Sequence, residues 1–480
     1  MENIKLLTKI GLINKCKELN IKGYSSKNKN ELIDMIAANI NLITHAPSKV
    51  EYNADAEVIE PGVPIISLHN EVATNYENTI ILTNDIESKY KFIDLFCGIG
   101  GFHQALTNLK MECVYACDID DNCRKIYETN YGLKPAGDIT KIDVASIPAF
   151  DVLCGGFPCQ SFSKAGHQAG FEDKRGQLFF NICDIIKHHR PKYLLLENVR
   201  NLSSHDEGNT WKVIQQNIDK LGYYTYYEPV ILNALHFNIP QNRERVIIMC
   251  KRKDLGELPI LPTIPTNPKA LLTANIKNII NTANEENSKY KLIGKMKDVE
   301  QVWNEFIKLL VTNRISVPKF PIWTDWWDKD LSMDKQFYTK YTSWIDKNRL
   351  FYNENKVVLQ KWLDKSRKCE NWVGAVRKFE WQAGDLLEND GMDNVLWSAR
   401  GSGIRVKRIN YIPTLVAMNT VPVYGPESRT LSPRELLRLQ SFPDSFIYEE
   451  KTIFKQVGNA VNVKMIEQCT RFLIHNENLF

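Results

Sequence analysis

The sequence predicts an α/β protein whose main domain is a parallel sheet with crossover helices. Short apolar runs with strand character alternate with helical patterns from about residue 89 to residue 255. A loop with polar residues follows each run, as expected at the carboxyl edge of a parallel sheet. A glycine-rich turn follows the first run, and such turns let a backbone approach a ligand closely.

Each predicted strand is a short apolar run bounded by turn residues. The first, Lys91–Phe96, leads into the turn Cys97–Gly101. A closing helix is predicted near Val463–His475, where apolar residues recur with helical spacing. Four further strands are predicted at Cys113–Cys117, Val152–Cys154, Tyr193–Leu196 and Val246–Met249.

Composition places the chain among intracellular globular proteins. The hydrophobic content of 43% and the charged content of 25% are ordinary. No apolar run approaches the roughly 18 residues of a membrane span, and no signal peptide is evident at the start. The eleven cysteines are expected to be reduced, and the lack of paired CxxC knuckles argues against a metal site. A net charge of +4 means that a polyanion must meet a local basic patch.

The first 88 residues lack the alternation of strand and helix patterns that follows them. Residues 1–42 predict two short helices around a lysine-rich turn and resemble a SAP motif, a small module that binds nucleic acid. A helical hairpin with a solvated lysine-rich loop is the alternative. Residues 43–88 lose periodicity and contain several prolines, as is typical of a linker.

The glycine turn and two acids indicate a nucleoside cofactor. The turn Cys97–Gly101 precedes a helix, whose N-terminus offers free N–H groups. Asp118 follows the next predicted strand, where a ribose-binding carboxylate is expected. Asp138 lies in a loop from which it could reach an adenine amino group. Both acids could instead be simple loop or helix-cap residues.

The segment Phe157-Pro158-Cys159 presents a cysteine on a stiff loop. A residue before proline is biased towards extended backbone, and proline fixes its own φ. Cys159 is therefore held just past a strand end, where open parallel sheets bind ligands. A thiolate there could act as a nucleophile. On this segment alone, a structural cysteine remains the more common alternative.

Two further strand ends carry charged residues. Glu197 ends the run that starts at Tyr193, and a buried glutamate can donate a proton to a ring nitrogen. Arg243 and Arg245 precede the last predicted strand, where an arginine could contact an exocyclic oxygen or a phosphate. A capping glutamate and a surface strip of ion pairs are the alternatives.

These residues lie in motifs that resemble the DNA cytosine-5 methyltransferases of bacterial restriction–modification systems. The motifs occur in the order of that family, and the resemblance covers about 89–255 and 400–480, roughly half of the chain. They are FIDLFCGIGGF (92–102), GGFPCQSFS (155–163), ENVRN (197–201), QNRERV (241–246), RTLSPRELLRLQSFPDSF (429–446) and QVGNAVNV (456–463).

The resemblance implies a site-specific enzyme that methylates carbon 5 of a flipped-out cytosine in duplex DNA. Cys159 would add to carbon 6, Glu197 would act at ring nitrogen 3, and Arg245 would contact the carbonyl with Arg243 in support. No metal is implied. The implied S-adenosylmethionine pocket comprises Phe96, Gly98, Gly100, Asp118, Ile119, Asp138, Ile139, Pro158, Asn459 and Val461.

The resemblance also implies a Rossmann-like catalytic domain, at 89–265 and 452–480, and a small target-recognition domain at 266–451. Candidate DNA contacts are Gln160, Ser163, Arg405 and Arg408, although a basic surface loop is an equal alternative for each arginine. The tryptophans of 323–381 are expected mainly in a core. The implied partners are duplex DNA and a cognate restriction endonuclease, and the implied state is a monomer.

The chain departs from the family pattern at Ile119, where relatives often carry an aromatic residue that stacks on adenine. Three rival functions are weaker. A tRNA methyltransferase of this fold would carry a CFT signature, and a dehydrogenase has no role for the acidic and PCQ signatures. A silent DNA-binding scaffold would not need Cys159, Glu197 and both arginines.

Overall fold

The computed structural model describes residues 90–158, 177–280, 285–330, 335–417 and 420–480. The predicted SAP-like segment 1–42 and the linker 43–88 lie outside the described residues, as do Cys159, Gln160 and Ser163. Among the helices of the described chain, none combines the length and the apolar composition that a membrane crossing needs.

The larger part of the protein is built on a seven-stranded sheet that contains every strand predicted from the sequence. The first eight strands are β1 (Lys91–Leu95), β2 (Glu112–Cys117), β3 (Val152–Gly155), β4 (Tyr193–Val199), β5 (Tyr223–Thr225), β6 (Val230–Asn233), β7 (Gln241–Asn242) and β8 (Glu244–Arg252). All but β7 belong to this sheet, in the order β2-β1-β3-β4-β8-β5, with β6 also paired to β8.

The large sheet is mixed, whereas the sequence predicted a parallel one. Strands β1 to β4 pair in parallel, but β8 runs antiparallel to β4, β5 and β6. Only residues 234–243 separate β6 from β8, too short a connection for a parallel crossover. The prediction for Val246–Met249 was right about the strand and wrong about its direction.

Helices cover both faces of the large sheet. The α-helices of the described chain are α1 (Gly101–Asn108), α2 (Asp121–Tyr131), α3 (Gln177–His189), α4 (Asn209–Lys220), α5 (Gly294–Thr312), α6 (Lys335–Glu354), α7 (Lys356–Arg367), α8 (Pro433–Leu439), α9 (Glu450–Asn459) and α10 (Val463–His475). Helix α10 has the bounds that the sequence predicted.

Each face of the large sheet has its own core, because alternate strand residues point to opposite faces. Phe92 and Leu195 pack with α1 and α10 in the first core. Ile93 and Leu194 pack with α3 and α4 in the second core. The result is the Rossmann-like three-layer α/β architecture that the sequence predicted.

A second sheet lies between the two halves of the large domain in the sequence. Its strands are β9 (Ile322–Trp323), β10 (Lys378–Trp381), β11 (Leu396–Arg400), β12 (Gly403–Lys407), β14 (Val423–Tyr424) and β15 (Arg429–Thr430), in the order β15-β14-β11-β12-β10-β9. Strand β13 (Ile412–Pro413) pairs instead with β7. The pair β13–β7 therefore joins the inserted segment to the large domain.

A third core, rich in tryptophan, lies under the second sheet and packs against α5 and α7. The sequence favoured core positions for the tryptophans of this region. Trp326, Trp327, Trp362, Trp372 and Trp381 are indeed buried, and Trp323 and Trp344 are half-buried.

The end of the inserted segment packs with the large domain. Leu431, Leu436 and Phe446 belong to the first core, together with strand residues of the large sheet. The sequence placed the end of the small domain at 451. This packing favours a boundary nearer 430, so that α8 would belong with the catalytic domain.

Candidate active site

A cavity of about 470 Å³ opens at the carboxyl ends of the parallel strands β1 to β4. Ligands of open α/β sheets bind at this edge. Of the cofactor candidates, all except Gly100 line the cavity: Phe96, Gly98, Asp118, Ile119, Asp138, Ile139, Pro158, Asn459 and Val461. Glu197, Arg243 and Arg245 line the same cavity.

The turn after β1 uses two of its glycines for different purposes. Gly98 has a φ of +52°, and nothing lies within 4 Å of the position of a Cβ there, so its backbone borders open space. Gly100 has a φ of +87°, and its Cβ would lie 2.2 Å from Cε2 of Tyr131. Gly100 is therefore required for packing against α2 and does not line the cavity.

Asp118 follows β2 and faces the glycine turn. Its Oδ2 accepts a hydrogen bond from the backbone N of Gly98 at 2.8 Å, and its Oδ1 accepts one from Asp120 at 2.8 Å. Burial raises the pKa of this carboxyl group above its usual value, although these hydrogen bonds lower it. Each oxygen retains acceptor capacity, so Asp118 can bind ligand hydroxyl groups.

The residue after Asp118 offers an apolar surface to the cavity. Ile119 lines the cavity and is 75% exposed. Asp138 also lines the cavity and accepts hydrogen bonds at Oδ1 from the backbone N and Oγ1 of Thr140, which lower the pKa of Asp138. The cavity therefore has an apolar side chain at Ile119 and a carboxylate at Asp138 that is held by its own loop.

Glu197 and Arg245 form an ion pair in the cavity wall. The Nε of Arg245 lies 2.7 Å from Oε1 of Glu197, and the two side chains are 11% and 9% exposed. The antiparallel pairing of β4 with β8 brings them together, since Val199 lies opposite Arg245. The other oxygen of Glu197, Oε2, lies on the side of Gly156, 3.6 Å from the position of a Cβ there.

The end of β4 also fixes the segment that leads to Cys159. The Nδ2 of Asn198 donates to the carbonyl oxygen of Phe157 at 2.8 Å. Pro158 lines the cavity and is the last described residue before Cys159. The chain therefore passes from the cavity wall to the predicted nucleophile within one residue.

Among the described residues, Arg243 contacts backbone carbonyls and no carboxylate. Its guanidinium donates to the carbonyl oxygens of Leu415, Gly458 and Ala460 at 2.8 to 3.0 Å, and the residue is 1% exposed. Burial, followed by the charge of Arg245, lowers the pKa of Arg243 to about 9. The structure thus shows Arg243 joining the inserted segment, the C-terminal return and β8.

Replacing Arg243 should cost stability more than replacing another arginine of the same strand region. Arg243→Met removes a donor from three buried carbonyls, of which that of Ala460 keeps a second donor in Gln440, so we expect the free energy of unfolding to fall by about 3 kcal/mol. Arg252→Met, which removes an exposed ion pair with Asp254 and a hydrogen bond to the carbonyl oxygen of Arg190, should cost clearly less. Chemical denaturation of the two variants measures the difference, and equal losses would contradict the assignment.

The C-terminal motif closes the cavity beside the glycine turn. A Cβ on Gly101 would lie 2.6 Å from Cγ2 of Val461, and one on Gly458 would lie 2.4 Å from the carbonyl of Val416. Gln440 donates to the carbonyl oxygens of Val457 and Ala460. The segment that carries Asn459 and Val461 is therefore held from both domains.

The two arginines suggested as DNA contacts lie away from this cavity. The Nε of Arg405 is 3.2 Å from Oε2 of Glu380. Arg408 is bound to both carboxylate oxygens of Asp390 and to the carbonyl oxygens of Ala383 and Asp385. The guanidinium of Arg408 is thus hydrogen-bonded within the small domain, whereas Arg405 has one ion pair there.

Sequence reasoning missed several cavity residues that lie inside the motifs, and three of them have large side chains that face the site. Phe102, Asn198 and Gln456 line the cavity, but none was singled out. Asn198 directly follows Glu197 at the end of an apolar strand, and this position was an available signal. Phe102 and Gln456 have no chemistry that distinguishes them in the sequence.

Comparison with known proteins agrees with the geometry. A model of the family described as C-5 cytosine-specific DNA methylase matches residues 90–475. The chain is 48% identical over 379 residues to the Type II methyltransferase M.HhaI of Haemophilus parahaemolyticus, covering 78% of this chain and 92% of that protein. It is 29% identical over 489 residues to M.AluI of Cellulosimicrobium cellulans, covering 80% and 92%.

Among solved structures, the Dnmt2 methyltransferase of S. pombe aligns with a TM-score of 0.46 and 18% identity, over 81% of this chain and 99% of that one. The assignment depends on the family model and on the sequence relatives, which cover most of the chain. The chain belongs to the C-5 cytosine-specific DNA methylase family and methylates cytosine in DNA at carbon 5.

Proposed function

We propose that the cavity holds S-adenosylmethionine and that the chain methylates one cytosine within a short specific sequence of duplex DNA, through a covalent bond to Cys159. One observation carries this proposal. A single cavity is lined by Asp118 and by the pair Glu197–Arg245, and its wall reaches Pro158, next to Cys159.

The residues of the cavity fit this cofactor. Asp118 would accept hydrogen bonds from the ribose hydroxyl groups, and the open backbone at Gly98 leaves room beside it. Ile119 and Phe96 would contact the adenine ring, and Asp138 would lie near its amino group. When bound, S-adenosylmethionine supplies an electrophilic methyl group on a sulfonium sulfur.

Removing the Asp118 carboxylate should weaken cofactor binding specifically. In Asp118→Ala we expect the KM for S-adenosylmethionine to rise on the order of 10- to 100-fold, the range for losing hydrogen bonds to a charged group. The kcat at saturating cofactor and the KM for DNA should change little. Steady-state kinetics at varied concentrations of S-adenosylmethionine and of DNA measure kcat and each KM separately. An unchanged KM for S-adenosylmethionine would contradict the assignment.

The residues around the target base would act in sequence. The Cys159 thiolate forms a bond from Sγ to carbon 6 while Glu197 holds a proton at ring nitrogen 3. The electron pair displaced from the double bond would make carbon 5 nucleophilic. Carbon 5 would then bond to the methyl group as the bond from that methyl to the sulfonium sulfur breaks and leaves its electron pair on sulfur. Loss of the carbon-5 proton to a base re-forms the double bond and breaks the bond from Sγ to carbon 6. Arg245 would donate to the carbonyl oxygen of the cytosine.

The DNA must open for this chemistry, because a base within a duplex cannot reach Cys159. We assign target reading to the small domain, with Gln160, Ser163, Arg405 and Arg408 as candidate contacts. The SAP-like segment 1–42 would add phosphate contacts that weaken with salt. A monomer in a restriction–modification pair, with an endonuclease of the same specificity, is the biological setting that we propose.

Random-sequence duplex DNA tests the proposal directly. After incubation with the protein and S-adenosylmethionine, bisulfite sequencing should show methylated cytosine within one short motif. The same duplex with 5-fluorocytosine at the target should trap a covalent complex, because fluorine at carbon 5 cannot leave as a proton. Absence of methylation with cofactor binding intact would contradict the proposal.

A further inference from the structure

The last residue of α2 lies against the glycine turn that borders the cavity. The hydroxyl group of Tyr131 donates to the carbonyl oxygen of Gly100 at 2.9 Å, and this carbonyl also accepts the first hydrogen bond of α1, from the backbone N of Gln104. Gly100 is the N-cap of α1 and has no side chain with which to cap it. The next two residues, Gly101 and Phe102, line the cavity. Tyr131 therefore holds the backbone where the glycine turn becomes α1.

The ring of Tyr131 is itself fixed by buried side chains. It stacks on the imidazole of His103, with the two ring centroids 3.8 Å apart and the planes inclined by 13°. The Nδ1 of His103 lies 2.7 Å from the hydroxyl group of Tyr127, which lies 3.5 Å from Oδ2 of Asp94. All three of these residues are buried. The position of Tyr131 is thus determined by side chains of α1, α2 and β1.

The residue before Tyr131 holds a second segment of the cavity wall. The Nδ2 of Asn130 donates to the carbonyl oxygen of Ile447 at 2.8 Å, and its Oδ1 accepts from the backbone N of Ile447 at 2.8 Å. The side chain of Ile447 is 55% exposed, so these backbone hydrogen bonds, and not a core contact, fix this residue. Helix α9 begins three residues later and contributes Gln456 and Asn459 to the cavity.

The start of α2 lies at the same cavity. Asp120 is the N-cap of α2, and its backbone N donates to Oδ1 of Asp118. Asp118, Asp120 and Cys123 line the cavity. A single helix of eleven residues therefore contacts the Asp118 loop at its start, and the glycine turn and the segment before α9 at its end.

We propose that Tyr131 and Asn130 are positioning residues that set the affinity of the cavity for S-adenosylmethionine. Tyr131 acts through the glycine turn, and Asn130 acts through the segment before α9. This inference depends on the proposed function, since it requires that the cavity binds this cofactor.

The physical reason is the freedom of the two segments that are held. Gly98 and Gly100 both have a positive φ, and glycine has more conformations to lose than any other residue. Without the hydrogen bond from Tyr131, the turn adopts its ligand-binding conformation for a smaller fraction of the time. The apparent affinity for a ligand falls in proportion to that fraction.

Tyr131→Phe tests the glycine turn, because phenylalanine keeps the stacked ring and loses only the hydroxyl group. Calorimetric titration with S-adenosylhomocysteine, the product left after methyl transfer, should give a Kd that is about three- to tenfold higher than that of the wild type. The KM for S-adenosylmethionine should rise by the same factor, while kcat at saturating cofactor and the KM for DNA change little.

Tyr226→Phe is the matched control for this variant. Tyr226 is also half-buried, and its hydroxyl group donates to the carbonyl oxygen of Pro259 at 2.7 Å. Tyr226→Phe therefore loses a comparable hydrogen bond, but Tyr226 does not line the cavity. Its Kd for S-adenosylhomocysteine should equal that of the wild type.

Asn130→Leu tests the second segment, with Asn217→Leu as its control. Asn130 and Asn217 are both half-buried helix residues whose Nδ2 donates at 2.8 Å to the carbonyl oxygen four residues earlier, of Ile126 and Val213 respectively. The hydrogen bonds to Ile447 distinguish Asn130. Its variant should raise the Kd for S-adenosylhomocysteine about three- to tenfold, and Asn217→Leu should leave it unchanged.

Hydrogen exchange in the wild-type protein gives a measurement that does not depend on how a variant folds. Coupling between two sites is reciprocal, so a ligand that prefers the ordered wall must also favour the hydrogen bonds that order it. Binding of S-adenosylhomocysteine should slow exchange of the Ile447 amide, which donates to Asn130, by about threefold or more. The amide of Lys253, which donates to Gly222, should exchange at the same rate with and without the ligand.

Three results would overturn the proposal while leaving the proposed function intact. The first is an unchanged Kd in Tyr131→Phe and Asn130→Leu, with or without a lower kcat. The second is an equal rise of Kd in the two control variants, which would indicate a general loss of stability. The third is exchange of the Ile447 amide that does not respond to the ligand. A wild-type protein that binds neither S-adenosylmethionine nor S-adenosylhomocysteine would instead contradict the proposed function itself.

Discussion

Cys159→Ala should lower turnover by roughly 10³-fold or more, because no other group can form the covalent bond to carbon 6. The affinities for S-adenosylmethionine and for DNA should stay close to those of the wild type. Single-turnover methylation of a duplex that contains the target motif measures the chemical step. The covalent complex with 5-fluorocytosine DNA should also disappear.

A second cysteine provides a matched control for this experiment. Cys154 lies five residues earlier, in β3, and is completely buried. Burial raises the pKa of its thiol well above the usual value, so it is not a thiolate at neutral pH. Cys154→Ala should therefore retain turnover near that of the wild type. A Cys159→Ala enzyme with more than a few per cent of wild-type turnover would refute the nucleophile assignment.

The described residues before Cys159 support the role that we propose for its thiol. Phe157 is buried, and its carbonyl is fixed by Asn198 from the neighbouring strand. Pro158 allows only one range of φ. Strand β3, this hydrogen bond and the restricted φ of Pro158 determine where the described chain leaves the sheet, up to Pro158.

The sequence predicted those parts of the fold that depend on local patterns. The strands around Val152–Cys154 and Tyr193–Leu196 are apolar runs bounded by turn residues, and the structure confirms them. Helix α10 has a regular apolar face that ends at Asn476, which adopts a left-handed backbone conformation. In each of these cases the apolar pattern lies within a single strand or helix, so it can be recognised without knowing what that strand or helix packs against.

The parts that the sequence did not predict depend on partners distant in the chain. The direction of β8 follows from its short link to β6 and from its place between β4 and β5. The contacts of Arg243 reach residues 415 to 460, and no local pattern reports such distances. Likewise, Gly100 resembles a ligand-binding glycine in the sequence, whereas its conformation is required by Tyr131.

Glu197→Gln should lower the rate of the chemical step by about 10² to 10⁴-fold, the range for removing a general acid. Glutamine has almost the same shape and cannot supply a proton to ring nitrogen 3. The carboxylate oxygen Oε1 forms the ion pair with Nε of Arg245, whereas Oε2 lies towards Gly156 and the segment that leads to Cys159. One oxygen thus orients the side chain, and the other faces the place assigned to the base.

The neighbouring acid Glu244 separates this chemistry from a general loss of charge. Glu244 precedes Arg245 and pairs with Arg200 at the surface, 2.7 Å from its Nη1. Glu244→Gln should therefore change the single-turnover rate less than about threefold, because an exposed ion pair contributes at most about 1 kcal/mol. Binding of the target duplex should be retained in both variants. If Glu197→Gln and Glu244→Gln lose rate equally, Glu197 contributes only charge to the site. If only Glu197→Gln is slow while it still binds DNA, the proton of the Glu197 carboxyl group is used in the reaction.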